Sequence, residues 1–599
     1  MTHPKDTTLF AAFPPVSKEA WRKQIEQDLK GKPVEKLAWQ VEAGVELLPF
    51  FTREDLDPDT LGLGSLPGSY PFRRGNRFHA HEPGWQIVQE VPVRGAAQGQ
   101  TLMHLALEGH IAAIWLRLQT DTAPALYLLL KDFDFAHTAL HLDWPAPAAE
   151  LYAALADSQP ELLTGTLTND PVSAAARAGQ TPTEAQWTAA FDAIAAFAAS
   201  PHFRCLGLDF SYIHERGGTH AQELALALAT VVEYLVKAEA LGGRDLQAQV
   251  ARHMAITFAV GSAFFPEIAK WRAFRILYAR VLDAMGLQDP DAQSPFLLAT
   301  VARRNQSLYD RHTNLLRATT AAMSAVLGGV QAIAIGAFDA RNHAENAASL
   351  RLSRNIQHLL KHESYLDRVQ DPAGGAYYIE QATDRLALRA WQLFQEIEAA
   401  GGFLACVASG QVGTWLAQAD AAERQRLATR RSTLVGVNQY ANPVETLDMT
   451  PAPDAPYAGS AFEALRLRAD ALRHSRGRRL QAFLLLFGEV RMRNARSQFA
   501  RNLLGSGGWQ IVENSHPADL EASLSEAVAA RPEALVLCSA DGDYAATGAA
   551  LVARLRTLLP DTRLILAGKP EGYEQLGTDM AIAAGMDAVA FLSDLLSAY

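Results

Sequence analysis

Cysteine is nearly absent: Cys205, Cys406 and Cys538 are the only three in 599 residues, and they lie far apart. They cannot supply a Cys-rich zinc site or a disulfide framework, so a reducing, cytoplasmic setting is the simplest expectation. No window reaches the run of about 18 apolar residues that a membrane span needs. The N-terminus MTHPKDTTLFAAFPP also lacks a basic start followed by an apolar core, so neither a membrane span nor a signal segment is expected. Lys and Arg form no long run, and 54 basic against 65 acidic residues leave a net charge of −11. Nucleic acid is therefore not an expected partner, because phosphate recognition calls for a basic stripe.

What is present is length and alternation. A chain of 599 residues exceeds what one hydrophobic core usually supports, so several domains are expected. Residues 1–52 read as an arm: a charged amphipathic helix, SKEAWRKQIEQDLKG, then LAWQVEAGVELLPFFTRED, which alternates like a short strand pair. Pro and Gly cluster next in LGLGSLPGSYPFRRG. Within 53–400, β-rich runs alternate with amphipathic helices, and IAAIWLRL, ALHLD, LTGTLTN, FRCLGLDF, AITFAVG, FLLATVA, QAIAIGA and AYYIE read as strands. After Pro266, the residues Ile268, Trp271, Phe274, Tyr278 and Val281 recur at the helical period. Eight such units suit a closed (β/α)8 TIM barrel, although ALYLLLKDF reads equally as a strand or as the first barrel helix. Residues 401–475 read as helices followed by a proline-rich extended linker, and 476–599 as five βα units of a flavodoxin-like, doubly wound domain whose fifth strand is AVAFL.

In a barrel, chemistry belongs to the loops after the strands. The segment DFSYIHERGGTHAQELA, placed after the fourth strand, carries Tyr212, His214, Glu215, Arg216, Thr219 and His220. The bland reading has Glu215 and Arg216 solvated and Thr219 capping the next helix. His214 and His220 stand off the i, i+4 spacing with which one helix face offers two metal ligands, so no metal is expected. After the sixth strand, Arg303, Arg304 and Arg311 could fork onto phosphates or carboxylates, or simply be solvated. Gly328 and Gly329 read as a helix C-cap, and Asp541 and Asp543 as turn formers rather than cation ligands. At the mouth of the last domain, FGEVRMRN (487–494) has no phosphate-cradling glycines, no histidine and no carboxylate beyond Glu489.

The order of barrel, linker and flavodoxin-like domain resembles the adenosylcobalamin-dependent acyl-CoA mutases, above all the methylmalonyl-CoA mutase family. The most specific stretches are PGSYPFRRG, NLLRATTAAMSAVLGG, HESYLDRVQDPAGGAYYIEQATDRLALRAWQLFQEIEAAGGF and VGVNQYANPVE. In catalytic members the last domain carries Asp-x-His-x-x-Gly after its first strand, the histidine being the lower cobalt ligand. On this chain those positions fall at Val490, Met492 and Ala495, with Arg491 and Arg493 beside them, and the glycine-rich final loop is matched to FLSD. The family's Tyr-His pair falls on Ser211 and Tyr212, and the tyrosine that wedges against the corrin falls at Arg77, in RFHAH. Its Arg-x-Thr-Tyr carboxylate-binding segment has no counterpart in PVSAAARAGQ after Asn169 and Asp170.

The resemblance therefore implies the small, beta subunit of a heterodimeric bacterial mutase, with no catalytic residue, no cofactor-binding residue and no metal of its own. Adenosylcobalamin would sit on a large, alpha subunit partner that interconverts succinyl-CoA and (R)-methylmalonyl-CoA. Two other readings remain open on the sequence: a free-standing acyl-CoA or carboxylate-binding enzyme using His214, Arg303 and Arg311, and a transient regulatory partner of a mutase.

Overall fold

A computed structural model describes residues 16–76, 84–118, 126, 129–131, 133–144, 151, 160–342, 346–447, 457–568 and 576–599. The chain opens with the helix Lys18–Asp28, capped by Ser17, and a hairpin of β1 (Trp39–Glu42) and β2 (Val45–Leu47). The helix buries none of its residues, whereas Val45, Leu47 and Phe51 enter the barrel's own core. The two halves of the arm are thus physically different: the hairpin enters the barrel core, while the helix is held only through partly exposed contacts, Trp21 on Phe50 at 3.9 Å between ring centroids and Lys18 to Asp55.

A closed, all-parallel barrel follows. Its strands are β3 (Gln86–Val93), β4 (Ala113–Leu118), β5 (Ala139–Asp143), β6 (Gly165–Thr168), β7 (Phe203–Asp209), β8 (Met254–Val260), β9 (Phe296–Val301) and β10 (Ala332–Ala334), with β10 closing onto β3. Two strand assignments differ from the sequence reading. AYYIE is not a strand but opens the amphipathic helix Tyr377–Ala399, where Ile379, Ala382, Thr383 and Leu386 share a buried face. The first barrel strand is instead β3, whose Gln86, Gln89, Glu90 and Pro92 interrupt the apolar pattern that marks a buried strand. The polar loop after β7 accordingly follows the fifth strand, and the arginines after β9 the seventh. Within ALYLLLKDF only Leu126, Leu129–Lys131 and Phe133 are described, with Leu126, Leu129 and Leu130 helical and buried.

The barrel wall separates two cores. Outside, strands and helices share one large cluster containing Ile114, Leu140, Leu208, Trp271 and Phe274. Inside, Val88, Ala113, Trp115, Ala139, Leu298, Ala332 and Ala334 form a second, smaller one.

The last sheet runs β11 (Gln481–Leu486), β12 (Gln510–Glu513), β13 (Ala534–Cys538), β14 (Arg563–Ala567) and β15 (Met580–Ile582), in the order β12-β11-β13-β14-β15. All pairs are parallel, as in a flavodoxin-like domain. AVAFL is not the fifth strand: it lies in the helix Ala588–Ser597, capped by Asp587, with Ala588, Phe591, Leu592, Leu595 and Leu596 buried at the 3.6 period. The loop after the last strand is therefore not FLSD, and it keeps a glycine at positive φ, Gly585. Between barrel and sheet, the helix Ser460–Arg476 ties the two: Glu463 accepts from Leu308 N at 2.6 Å and Asp470 from the Tyr309 hydroxyl at 2.8 Å.

Candidate functional site

At the barrel mouth, Asp209 ends β7 and its Oδ1 accepts from Ser211 N at 2.9 Å, starting the short helix Ser211–Glu215. Tyr212 is half-buried, its hydroxyl has no hydrogen-bond partner, and the Arg177 guanidinium lies 5.0 Å over its ring. Burial pushes its pKa up. Arg77, the other expected vestigial position, lies outside the described residues, as does the rest of RFHAH. Thr219 caps the helical segment His220–His253, which is broken by a kink at Gly242 and Gly243, with a reciprocal Gln222 contact, as its sequence position predicts, and Gly329 is the left-handed C-cap of the helix Thr313–Gly328.

His214 and His220 enter a buried ionic chain that sequence reasoning missed. Glu42, from the arm hairpin, accepts from the backbone of His220 and Ala221 and from His220 Nδ1 at 2.8 Å. His220 Nε2 stands 3.5 Å from Glu267, and Lys270 Nζ lies between Glu267 (2.8 Å) and Glu223 (2.9 Å). Burial opposes charge on His220, but Glu267 and Glu42 outweigh it and raise its pKa to about 10. Glu223, the second carboxylate around one ammonium, is pushed up to about 7 by burial. His214 packs against Gly261, and burial, aided by Lys270, drives it down to about 3. It is a neutral imidazole in a packed network. The one advance signal is charge spread through a largely apolar helix: Glu267, Lys270, Arg272 and Arg275 interrupt FFPEIAKWRAFRILY.

The barrel axis holds a second cluster. Arg117 Nε and Arg303 Nη2 both lie 2.7 Å from Glu90 Oε1, and Arg117 Nη1 stands 3.6 Å from Asp143. Beneath them, Trp115 is 1% exposed, carries the Arg117 guanidinium 4.0 Å over its ring, and donates its indole N–H to Asp143 at 2.9 Å. Burial works against ionised Glu90, yet the two guanidiniums hold its pKa below the ordinary carboxylate range. Arg303 is thus an internal counter-ion, and its backbone N–H is held by Glu215 at 2.7 Å. Arg304 turns away to Asp420 and Glu423 of the helix Gln411–Ala428. The sequence expectation of a basic mouth for phosphates or carboxylates meets side chains already engaged, and Arg303, Arg304 and His214 do not converge on one point.

In the last domain, ligand crevices open where strand order reverses, here between β11 and β13. That point is occupied by the chain itself. Gly488 has φ +68°, and a Cβ there would lie 2.0 Å from Asp543 Oδ2. The same carboxylate accepts from Ser539 Oγ at 2.5 Å and from Glu489 N at 3.0 Å. Asp541 pairs with Arg496, whose guanidinium lies 5.1 Å over Tyr544. Glu489 caps the helix Val490–Ser506, so Val490, Met492 and Ala495 stand exposed on its first turns, and no imidazole is beside them among the described residues. No group of His, Cys, Asp or Glu among the described residues is arranged to hold a metal ion.

The most distinctive sequence stretches converge elsewhere. Arg73, from PGSYPFRRG, meets Glu380 (2.7 Å) and Asp384 (2.7 Å); Arg272 meets Glu380 (2.7 Å) and Asp371; and Arg74 meets Asp371 (2.8 Å). Gly328, from NLLRATTAAMSAVLGG, packs on Trp271 where a Cβ would lie 2.6 Å from the ring. These motifs hold the arm loop, a barrel helix and the helix Tyr377–Ala399 together.

Sequence comparison agrees with this architecture. The family described as Methylmalonyl-CoA mutase matches residues 118–481. Among curated proteins, the methylmalonyl-CoA mutase small subunit of Streptomyces virginiae is 33% identical over 625 aligned residues, covering 98% of each chain. That of Porphyromonas gingivalis is 32% identical, covering 90% of each chain. The methylmalonyl-CoA mutase of Cereibacter sphaeroides is 28% identical, over 72% of this chain and 66% of its own. A closed parallel barrel, a 2-1-3-4-5 parallel sheet and these matches lead to one assignment: the chain belongs to the methylmalonyl-CoA mutase family.

Proposed function

We propose that this chain is the non-catalytic small subunit of a heterodimeric, adenosylcobalamin-dependent methylmalonyl-CoA mutase. In this reading a large subunit carries the cofactor and interconverts succinyl-CoA and (R)-methylmalonyl-CoA by a radical 1,2 rearrangement, in the cytoplasm, as part of propionate metabolism. The cofactor's chemistry, generation of a carbon radical, belongs wholly to that partner.

The observation that carries the reading is the filled crevice of the last sheet. A cobalamin domain of this family needs an imidazole ligand, a carboxylate behind it and room for the nucleotide tail. Here Val490, Met492 and Ala495 stand exposed on a capped helix, and Asp543 covers Gly488. Those residues do not fit the group. The barrel axis supports the same reading, because Trp115 and the Glu90–Arg117–Arg303 cluster occupy its upper half. The alternative of an independent enzyme built on His214, Arg303 and Arg311 loses ground because Arg303 is already paired with Glu90 and His214 is packed against Gly261.

The organisation follows: residues 1–52 as partner-binding arm, 53–400 as barrel, 401–475 as linker and 476–599 as a degenerate cobalamin-binding-like domain. Because the hairpin is built into this chain's own barrel core, the helix Lys18–Asp28, which buries none of its residues and is held only by Trp21 on Phe50 and Lys18 to Asp55, is the part of the arm available to the partner. Co-expression with a mutase large subunit is expected to yield a 1:1 complex with isomerase activity on gel filtration. Deletion of residues 1–30 is expected to weaken that complex while leaving this chain folded. Failure of the two chains to co-purify would remove the subunit reading.

A further inference from the structure

We propose that the groove between the helices Ala96–Leu107 and Ala347–His358 is a binding site for a phosphate-bearing small molecule, with Arg354 as its anchor. Because β10 closes onto β3, the helices that follow these two strands stand side by side on the barrel's outer wall. Between them lies an open groove of about 730 Å3. The turn Gly109–His110 at its end leads into β4, which places that end of the groove at the N-terminal rim of the barrel, away from the mouth described above.

At the floor of the groove lies a cation, Arg354, that pairs with no carboxylate among the described residues. Arg354 is only 9% exposed, and its one hydrogen bond is a long contact from Nη1 to Gln89 Oε1 at 3.4 Å. Among the described residues no carboxylate comes within ion-pairing distance of it. Other buried arginines of this chain are compensated: Arg73, Arg272 and Arg304 face carboxylates, and Arg275 donates to the carbonyls of Phe72, Arg73 and Gly328. Burial and the neighbouring Arg351 pull the Arg354 pKa down, the mark of a charge that an anion would stabilise.

The backbone is shaped around that guanidinium. A Cβ on Gly109 would lie 2.3 Å from Arg354 Nε and 2.4 Å from its Cζ, so the planar group lies directly against a glycine. The next residue, His110, takes φ +52°. His358 Nε2 donates to the Gly109 carbonyl at 3.0 Å, and its ring stacks on His362 at 5.6 Å between centroids. The lining thus offers two guanidiniums and three imidazoles against one carboxylate, Glu108. A forked guanidinium at the floor, a second guanidinium, Arg351, in the lining and imidazole N–H groups beside them match the oxygens of a phosphate or diphosphate.

The test is calorimetric titration of the full chain with inorganic pyrophosphate, and with ADP as a second arm. Pyrophosphate is expected to bind, with affinity falling about tenfold or more in Arg354→Gln, which removes a charge-assisted pair. A smaller loss is expected in the exposed Arg351→Gln, and none in Arg303→Gln at the barrel mouth. Tighter binding of ADP than of pyrophosphate would identify a nucleotide, and equal binding a bare diphosphate; both support the site. Absence of binding by the folded wild-type chain overturns the proposal. So does equal affinity in wild type and Arg351→Gln where Arg354→Gln fails to fold, or in wild type and both variants where it folds. The inference stands apart from the subunit reading, since it concerns the isolated chain and needs no partner.

Discussion

Lys270 holds two buried carboxylates together at the barrel's rim. It is fully buried, and its ammonium is shared by Glu223 and Glu267 while also donating to the Ala259 carbonyl at 2.6 Å. Replacing it with Met keeps the aliphatic length but strands two carboxylates in a dry site. Breaking a buried pair in this way costs about 3–5 kcal/mol. Lys270→Met is therefore expected to lower stability by that amount in denaturant unfolding, and Glu223→Gln to recover part of the loss in the double variant. A loss below about 1 kcal/mol, the worth of a surface pair, would mean that water reaches the site.

At the scale of elements, the arm hairpin is bolted to the barrel by a titratable contact, Glu42 to His220. The His220 pKa is raised from 6.5 to about 10, so its contribution is fully present below pH 6.5 and is lost as pH rises through about 10. Stability of the wild type is expected to fall between pH 7 and pH 10, and His220→Gln to flatten that slope. Parallel slopes in the two proteins would show that the contact does not hold the hairpin. The same hairpin, both of its strands and the preceding helix were legible in the sequence, because alternation and capping are local signals. So were seven of the barrel strands and four of the last sheet. What escaped was set by distant partners. Gln86–Val93 reads as a poor strand because Glu90 and Gln86 point to groups supplied from elsewhere in the barrel: Arg117 on β4 and Arg303 in the loop after β9 for one, His141 on β5 for the other. AYYIE and AVAFL read as strands because a short apolar run cannot be told from a helix turn until its continuation is weighed. The ionic chain from Glu42 to Glu223 spans residues far apart in sequence, and the charges inside FFPEIAKWRAFRILY mark only one member segment of it, not its partners.

For the whole molecule, two observations bear on whether its last domain can take cobalamin. The crevice of the last domain is filled by Asp543, yet Gly585 survives in its final loop. Restoring the ligand pair alone, as Val490→Asp with Met492→His, is expected not to restore cobalamin binding. Asp543 over Gly488 and the helix capped by Glu489 still occupy the entry, and burying the nucleotide tail against Arg491 and Arg493 would cost several kcal/mol, comparable to what one metal ligand returns. Titration of the double variant with adenosylcobalamin should leave the base-on spectrum unchanged; a shift to histidine ligation at micromolar concentration would show that only the ligand was missing. The central claim is tested most directly by titrating the isolated wild-type chain with adenosylcobalamin and measuring the cobalt retained after desalting, beside the co-expressed complex. The account predicts no cobalamin on the isolated chain and one per heterodimer in the complex. Stoichiometric cobalamin on the isolated chain would contradict it.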